Sequence, residues 1–125
     1  MKQVLKTSLY IFLTLLAIVV INVAFFVYKA KSGIPDFESR PPSIPTEMND
    51  FSVLVFSKTN AFRHSGAIEA AIPAFEQMAK ENAWSLFVTN NGAVFNEEQL
   101  AQFDVVIWNN STGKVLKTEQ ENAFK

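Results

Sequence analysis

The chain has 125 residues, no cysteine and a net charge of −1, which leaves room for one domain of ordinary size. Without cysteine, disulfides, thiolate metal sites, a cysteine nucleophile and a lipidated cysteine are all excluded within these residues. The charge is uneven, because residues 1–31 carry +4 and residues 32–125 carry −5. An acidic segment without a basic cluster argues against nucleic acid as a partner.

A long apolar segment, Leu9–Tyr28, follows a short basic tail of residues 1–8. At ~1.5 Å per residue, a helix over this segment spans roughly 30 Å, the thickness of the hydrocarbon core of a bilayer. The segment ends in bulky residues, whereas a cleaved signal peptide usually ends in small ones. The sequence therefore predicts an uncleaved transmembrane helix over residues 9–28, with the lipid bilayer as partner. A cleaved signal peptide is the alternative.

The side of the membrane on which the soluble part lies is harder to predict. Lysines flank the apolar segment at both ends, so the positive-inside rule does not decide. A short tail with two lysines usually stays in the cytoplasm, which favours an extracytoplasmic domain, periplasmic or extracellular. Asn22, in the middle of the span, could join two helices or be a single tolerated amide.

A proline-rich linker occupies residues 29–50, with Pro35, Pro41, Pro42 and Pro45 among scattered charges. Prolines at this density prevent helix formation and favour an extended, semi-rigid chain. The sequence predicts a stalk that separates the membrane from the domain.

Residues 51–125 alternate apolar runs with helical patterns, which predicts an α/β domain. The runs Val53–Phe56 and Val105–Trp108 are expected to be buried strands. Leu86–Thr89 is expected to be the strand between them in the chain. Strands joined by helices must be parallel with right-handed crossovers, and the order 2-1-3 is the simplest arrangement. Trp108 is expected in the core, with stacking on a sugar ring as the alternative.

Three helices are expected between and after these strands. One begins near Ser65 and is kinked or interrupted at Pro73, with an apolar face made of Ile68, Ala71, Ile72, Phe75, Met78 and Ala79. Asn96 and Gln99 have the spacing of a helix start over 97–102, and Thr118 with Glu121 forms a capping box. Because Lys125 follows so soon, we expect a domain truncated in its last helix.

Polar loops follow the first and third strands, at 57–65 and 109–115. Neighbouring parallel strands whose crossovers leave to opposite faces form a binding crevice at their carboxyl ends. Hydroxyl, amide and cationic groups are concentrated in these two loops. The topology therefore predicts a small-molecule site between them.

Three segments carry a resemblance to a known family: VLVFSKTNAFRHSGAIEAAI, FNEEQLAQFDVVIWNNSTGKVL and TEQENAF. Together they resemble the amino-terminal half of a ThuA-like (trehalose utilisation) domain over residues 52–125, although Pro73 lies deeper in its helix than the proline usual in that family. The resemblance implies a truncated flavodoxin-like fold of the class I glutamine-amidotransferase-like superfamily. It also implies a link to carbohydrate metabolism, without the cysteine nucleophile of the amidotransferases.

Five residues are candidates for the site. His64, the only histidine, is a candidate acid or base, and its alternative is to cap the next helix or to bond backbone groups. Arg63 could hold a carboxylate or phosphate or be a solvated cation. Asn109 could donate hydrogen bonds, while Thr112 and Gly113 could let backbone N–H groups approach a ligand or form an ordinary turn.

Two functions remain open from the sequence. The first is a membrane-anchored ThuA-like domain that acts on or binds a carbohydrate-derived small molecule. The second is a non-catalytic module, tethered by the linker, that binds sugar or protein. The sequence singles out no cofactor, and one histidine without cysteine is a poor basis for a metal site.

Overall fold

A computed structural model describes residues 2–125; Met1, in the predicted basic tail, lies outside the described residues. The chain forms helix α1 (Lys2–Ser32), strand β1 (Ser52–Phe56), helix α2 (Ser65–Asn82), strand β2 (Ser85–Thr89), a 3-10 helix (Gly92–Val94), helix α3 (Glu97–Leu100), strand β3 (Val105–Trp108) and helix α4 (Thr118–Phe124). The strands are parallel in the order β2-β1-β3. The predicted α/β class and strand order are confirmed.

Helix α1 contains the predicted span and extends beyond it at both ends. Its 31 residues correspond to about 46 Å of helix, and residues 3–29 are exposed throughout. The amide of Asn22 donates to the backbone oxygen of Ile18 at 2.7 Å, and the Thr14 hydroxyl donates to that of Tyr10 at 2.9 Å. Polar groups bonded within their own helix suit a medium without water. The helix is long and apolar enough to cross a membrane.

The core lies on one face of the sheet, where α3 and α4 pack. Its buried residues are Leu54, Phe56, Val94, Phe95, Val115 and Leu116. The alternate residues of β1, Val53 and Val55, are also buried and point to the opposite face, which α2 covers with the buried Ile68. β1 is therefore the central strand, buried on both faces as predicted.

Two elements are more exposed than their sequences predict. β3 was expected to be buried on both faces, but Val105 and Trp108 are each 39% exposed, because β3 is an edge strand in the described sheet. Met78 was expected in the core and is instead 45% exposed. Pro73 lies inside a continuous α2, so a separate first turn is ruled out.

The predicted helix starts are correct for α3 and wrong by one residue for α4. The Asn96 side chain accepts from the N–H of Gln99 at 2.9 Å, which is the predicted cap, although α3 ends at Leu100. For α4, the Gln120 side chain accepts from the N–H of Lys117 at 2.8 Å. Lys117, rather than Thr118, is therefore the cap residue.

Residues 29–32 of the predicted linker belong to α1. Residues 33–50 have no regular secondary structure, but they pack on the domain instead of holding it at a distance. Near its start, the N–H of Ile34 donates to the oxygen of Asn60 at 2.9 Å. Midway, Ile44 packs against the core cluster. Near its end, the N–H of Asn49 donates to the Ser85 hydroxyl at 2.7 Å. The linker thus runs along the domain from the carboxyl ends of the strands to their amino ends.

Candidate functional site

The loops that follow β1 and β3 meet at the carboxyl edge of the sheet, as the topology predicts. Thr59 and Thr112 form a parallel bridge. The N–H of Asn60 donates to the oxygen of Thr112 at 2.8 Å, and its side-chain amide donates to the oxygen of Lys114 at 2.6 Å. These bonds join the two loops where an open crevice was expected.

Thr112 and Gly113 make this loop contact possible. The Thr112 hydroxyl donates to the backbone oxygen of Phe62 at 2.7 Å. Gly113 has φ of +77°, and a Cβ at this position would lie 2.9 Å from the backbone nitrogen of Ala61. Both residues therefore fix the path of loop 57–65, and their direct binding of a ligand stays a prediction.

Asn109 is buried at the end of β3, with an exposed fraction of 4%. Its amide donates to the hydroxyl of Ser57 at 3.1 Å, and its side-chain oxygen accepts from the Asn110 amide at 3.0 Å. These contacts tie the end of β3 to the end of β1. A ligand could reach the Asn109 amide only by replacing one of these bonds, so its binding role also stays a prediction.

Arg63 and His64 differ from the other three candidates because their side chains are exposed. Within residues 2–125 neither side chain forms an ion pair. His64 is the N-cap residue of α2, yet its side chain makes no capping hydrogen bond. Its ring packs edge-on against Phe62, with centroids 4.9 Å apart. The structure therefore contradicts the alternative in which the His64 side chain caps α2.

A charged pair that the sequence reasoning missed lies beside this edge. Lys58, the second residue after β1, is almost completely buried and forms a salt bridge with Glu38 of the linker. The second carboxylate oxygen of Glu38 accepts from the N–H of Gly92 at 2.8 Å. Burial raises the pKa of Glu38, but the hydrogen bonds from Lys58 and Gly92 and the Lys58 charge outweigh it and leave the pKa lowered. Glu38 thus fixes the linker at the carboxyl ends of β1 and β2.

A cleft of about 460 Å³ lies next to Glu38, between the linker, the start of α3 and α4. Its walls include Pro41, Phe95 and the carboxylates of Glu38 and Glu119. None of the five predicted site residues lines it. Over residues 2–125, no group of three or more histidine, aspartate or glutamate side chains could hold a metal ion.

The parallel sheet, with helices on both faces and polar loops at the carboxyl ends of its strands, defines a flavodoxin-like α/β protein. The profile of one family, ThuA, described as trehalose utilisation, matches residues 52–125. The chain belongs to this family, which confirms the resemblance seen in the sequence. No curated protein and no solved structure matches the chain.

Proposed function

We propose that this protein is a membrane-anchored ThuA domain that binds, or acts on, a carbohydrate-derived small molecule beside the carboxyl ends of β1 and β3. One observation carries this proposal: Arg63 and His64 present exposed side chains at that edge. A guanidinium can hold a carboxylate through two parallel hydrogen bonds, and an imidazole can exchange a proton with a hydroxyl. A polyol or sugar acid offers both kinds of partner.

Helix α1 supports the anchoring part of the proposal. Large apolar side chains are exposed along it. A contiguous apolar surface of this kind marks a site that an apolar partner covers. A bilayer provides that partner over the predicted span of residues 9–28. The two lysines of the amino-terminal tail favour a cytoplasmic amino terminus, which would export the ThuA domain to the periplasmic or extracellular side.

The binding part can be tested by calorimetric titration of the full chain in lipid nanodiscs with gluconate, sorbitol and trehalose. We expect gluconate to bind more tightly than sorbitol, because only gluconate carries a carboxylate for Arg63. Arg63→Ala should weaken gluconate binding, and Arg63→Lys should recover part of it. Lys80→Ala removes an exposed cation from α2 and serves as the control. Equal affinities of the Arg63→Ala and Lys80→Ala proteins would refute the role of Arg63.

A catalytic role for His64 predicts a different outcome from a binding role. If His64 acts as a base, His64→Ala should lower turnover by roughly 10²–10⁴-fold and change the pH profile. Because the side chain makes no capping bond, the free energy of unfolding should change by less than about 0.5 kcal/mol. Unchanged turnover and pH profile would remove His64 from the mechanism.

The second candidate, a non-catalytic tethered module, is favoured by the bonding of the other site residues. Asn109 and Thr112 use their side-chain donors within the protein, which leaves few groups to surround a reacting atom. Binding of gluconate without turnover, in a chain that retains Arg63 and His64, would establish this module in place of an enzyme.

A further inference from the structure

The end of α1 is joined directly to the loop that carries Arg63 and His64. Gly33, just after the helix, has φ of +74°, and a Cβ there would lie 2.2 Å from the backbone oxygen of Asn60. The same oxygen accepts from the N–H of Ile34 at 2.9 Å. The amide of Asn60 also donates to the oxygen of Asp36 at 3.1 Å. The helix end and loop 57–65 therefore form one unit, with no free spacer between them.

This junction fixes how far loop 57–65 can lie from the membrane. Gly33 follows Tyr28, the last residue of the predicted span, by five residues, which is about 7 Å of helix. The headgroup layer on each side of a bilayer is roughly 5–8 Å thick. If α1 spans the membrane over residues 9–28, Gly33 and Asn60 lie at the outer boundary of the headgroup layer.

The residues exposed at this junction have the chemistry of a membrane interface. Phe62 is 53% exposed and Ile34 is 48% exposed. Lys29, Lys31 and Lys114 are exposed close to them. Lysines extend to the headgroup level, and apolar side chains such as phenylalanine insert at the boundary between headgroups and acyl chains. Residues 32–125 are acidic overall, whereas Lys29 and Lys31 at the end of α1 and Lys114 place positive charge at this junction. An anionic surface would attract this end of the molecule and repel the rest of the domain.

We propose that these five residues form a docking surface for the headgroups of anionic lipids, so that the carboxyl edge of the sheet lies against the bilayer. The docking surface is defined by Lys29, Lys31, Ile34, Phe62 and Lys114. This inference rests on the membrane anchoring in the proposed function and adds the orientation of the domain and its lipid partner. Arg63 and His64 directly follow Phe62 in the chain, so their side chains then lie beside the headgroup layer. Ligands reach them along the membrane surface.

The absence of native cysteine allows the orientation to be measured with single spin labels on the full chain. Phe62→Cys, carrying an apolar nitroxide, reports on the docking surface. Asp50→Cys, exposed at the amino end of β1, is the control for insertion caused by the label alone. Val19→Cys, in the middle of α1, reports whether the helix spans the bilayer. Collisions with oxygen, which partitions into lipid, are compared with collisions with a water-soluble nickel complex.

In vesicles of phosphatidylcholine with about one third phosphatidylglycerol, we expect the label at position 62 to collide more with oxygen than the label at position 50. In phosphatidylcholine alone the difference should decrease severalfold, because the lysines lose their partners. Equal water exposure at positions 62 and 50, or equal lipid contact in both vesicle types, would overturn the proposal. If the label at position 19 is exposed to water, the anchoring is overturned as well. If the label at position 19 contacts lipid but the label at position 62 does not, the docking surface is overturned and the anchoring stands.

Charge variants test the contribution of the lysines separately, with the same label at position 62. Lys31→Gln with Lys114→Gln removes two cations from the docking surface, and Lys80→Gln with Lys125→Gln removes two exposed cations from elsewhere. With the label at position 62, only the first pair should abolish the effect of phosphatidylglycerol. The same response to both pairs would show that net charge alone matters and would refute the docking surface.

Discussion

The contact between Glu38 and Lys58 offers the sharpest test of the finding that the linker is part of the domain. Glu38→Ala removes the partner of Lys58, whose side chain is only 7% exposed, and the acceptor of the Gly92 N–H. Removing one member of a fully buried pair costs about 3–5 kcal/mol. Because the Glu38 side chain is 30% exposed, water can reach the uncompensated lysine, and we expect about 2–3 kcal/mol.

This loss can be measured by thermal unfolding of the full chain in detergent micelles, followed by the fluorescence of Trp84 and Trp108. For a domain of this size, 1 kcal/mol corresponds to about 4–8 °C in Tm, so Glu38→Ala should lower Tm by roughly 10–20 °C. Glu38→Gln keeps an acceptor for the Gly92 N–H and should have an intermediate effect. Glu47→Ala, at an exposed position in the same linker, is the control and should have little effect.

Two results would refute the reasoning. If the Glu38→Ala and Glu47→Ala proteins both keep the Tm of the wild type, the salt bridge contributes nothing measurable, and the linker behaves as the free spacer that its proline content predicts. If both variants lower Tm by the same amount, the loss follows from charge and not from the contact.

Three further predictions concern pH, the loop contact and the anchor. The pKa of Glu38 is lowered from its ordinary 4.5. Its contribution to the free energy of unfolding is therefore present above pH 4.5 and is lost as pH falls through the pKa of the folded protein. The Tm difference between wild type and Glu38→Ala should persist at pH 7 and shrink below pH 4.5. Gly113→Ala should lower the free energy of unfolding by at least about 1–2 kcal/mol, because φ is +77° and a Cβ would meet the Ala61 nitrogen. Gly66→Ala, with open space around it in α2, is the control and should raise this free energy by about 0.5–1 kcal/mol. Equal Tm changes in the two proteins would contradict the prediction. Residues 9–28 should anchor the chain uncleaved, so that mass spectrometry of carbonate-washed membranes finds the Met1 terminus, and a mature chain that begins near Phe25 or Ser32 would disprove it.

The sequence by itself determined the order and type of the strands and α-helices, but not the 3-10 helix at Gly92–Val94. An apolar run is a strand when polar loops bound it and helical spacing follows, and β1 and β3 obey this rule without help from distant residues. Strand order also followed, because parallel strands joined by helices permit few arrangements. The resemblance over residues 52–125 depended only on local segments, and the family match confirms it.

The tertiary structure decided which polar groups have partners, because partners come from parts of the chain that are far apart in sequence. Glu38 and Lys58 could not be paired from the sequence, since nothing local showed that a proline-rich linker would cross the carboxyl ends of the strands. The exposure of Met78 and Trp108 likewise depends on which neighbours cover a helix or an edge strand. Loops 57–65 and 109–115 were correctly expected to meet. Only the tertiary structure shows that the side chains of Asn109 and Thr112 donate hydrogen bonds within the protein, whereas those of Arg63 and His64 are exposed.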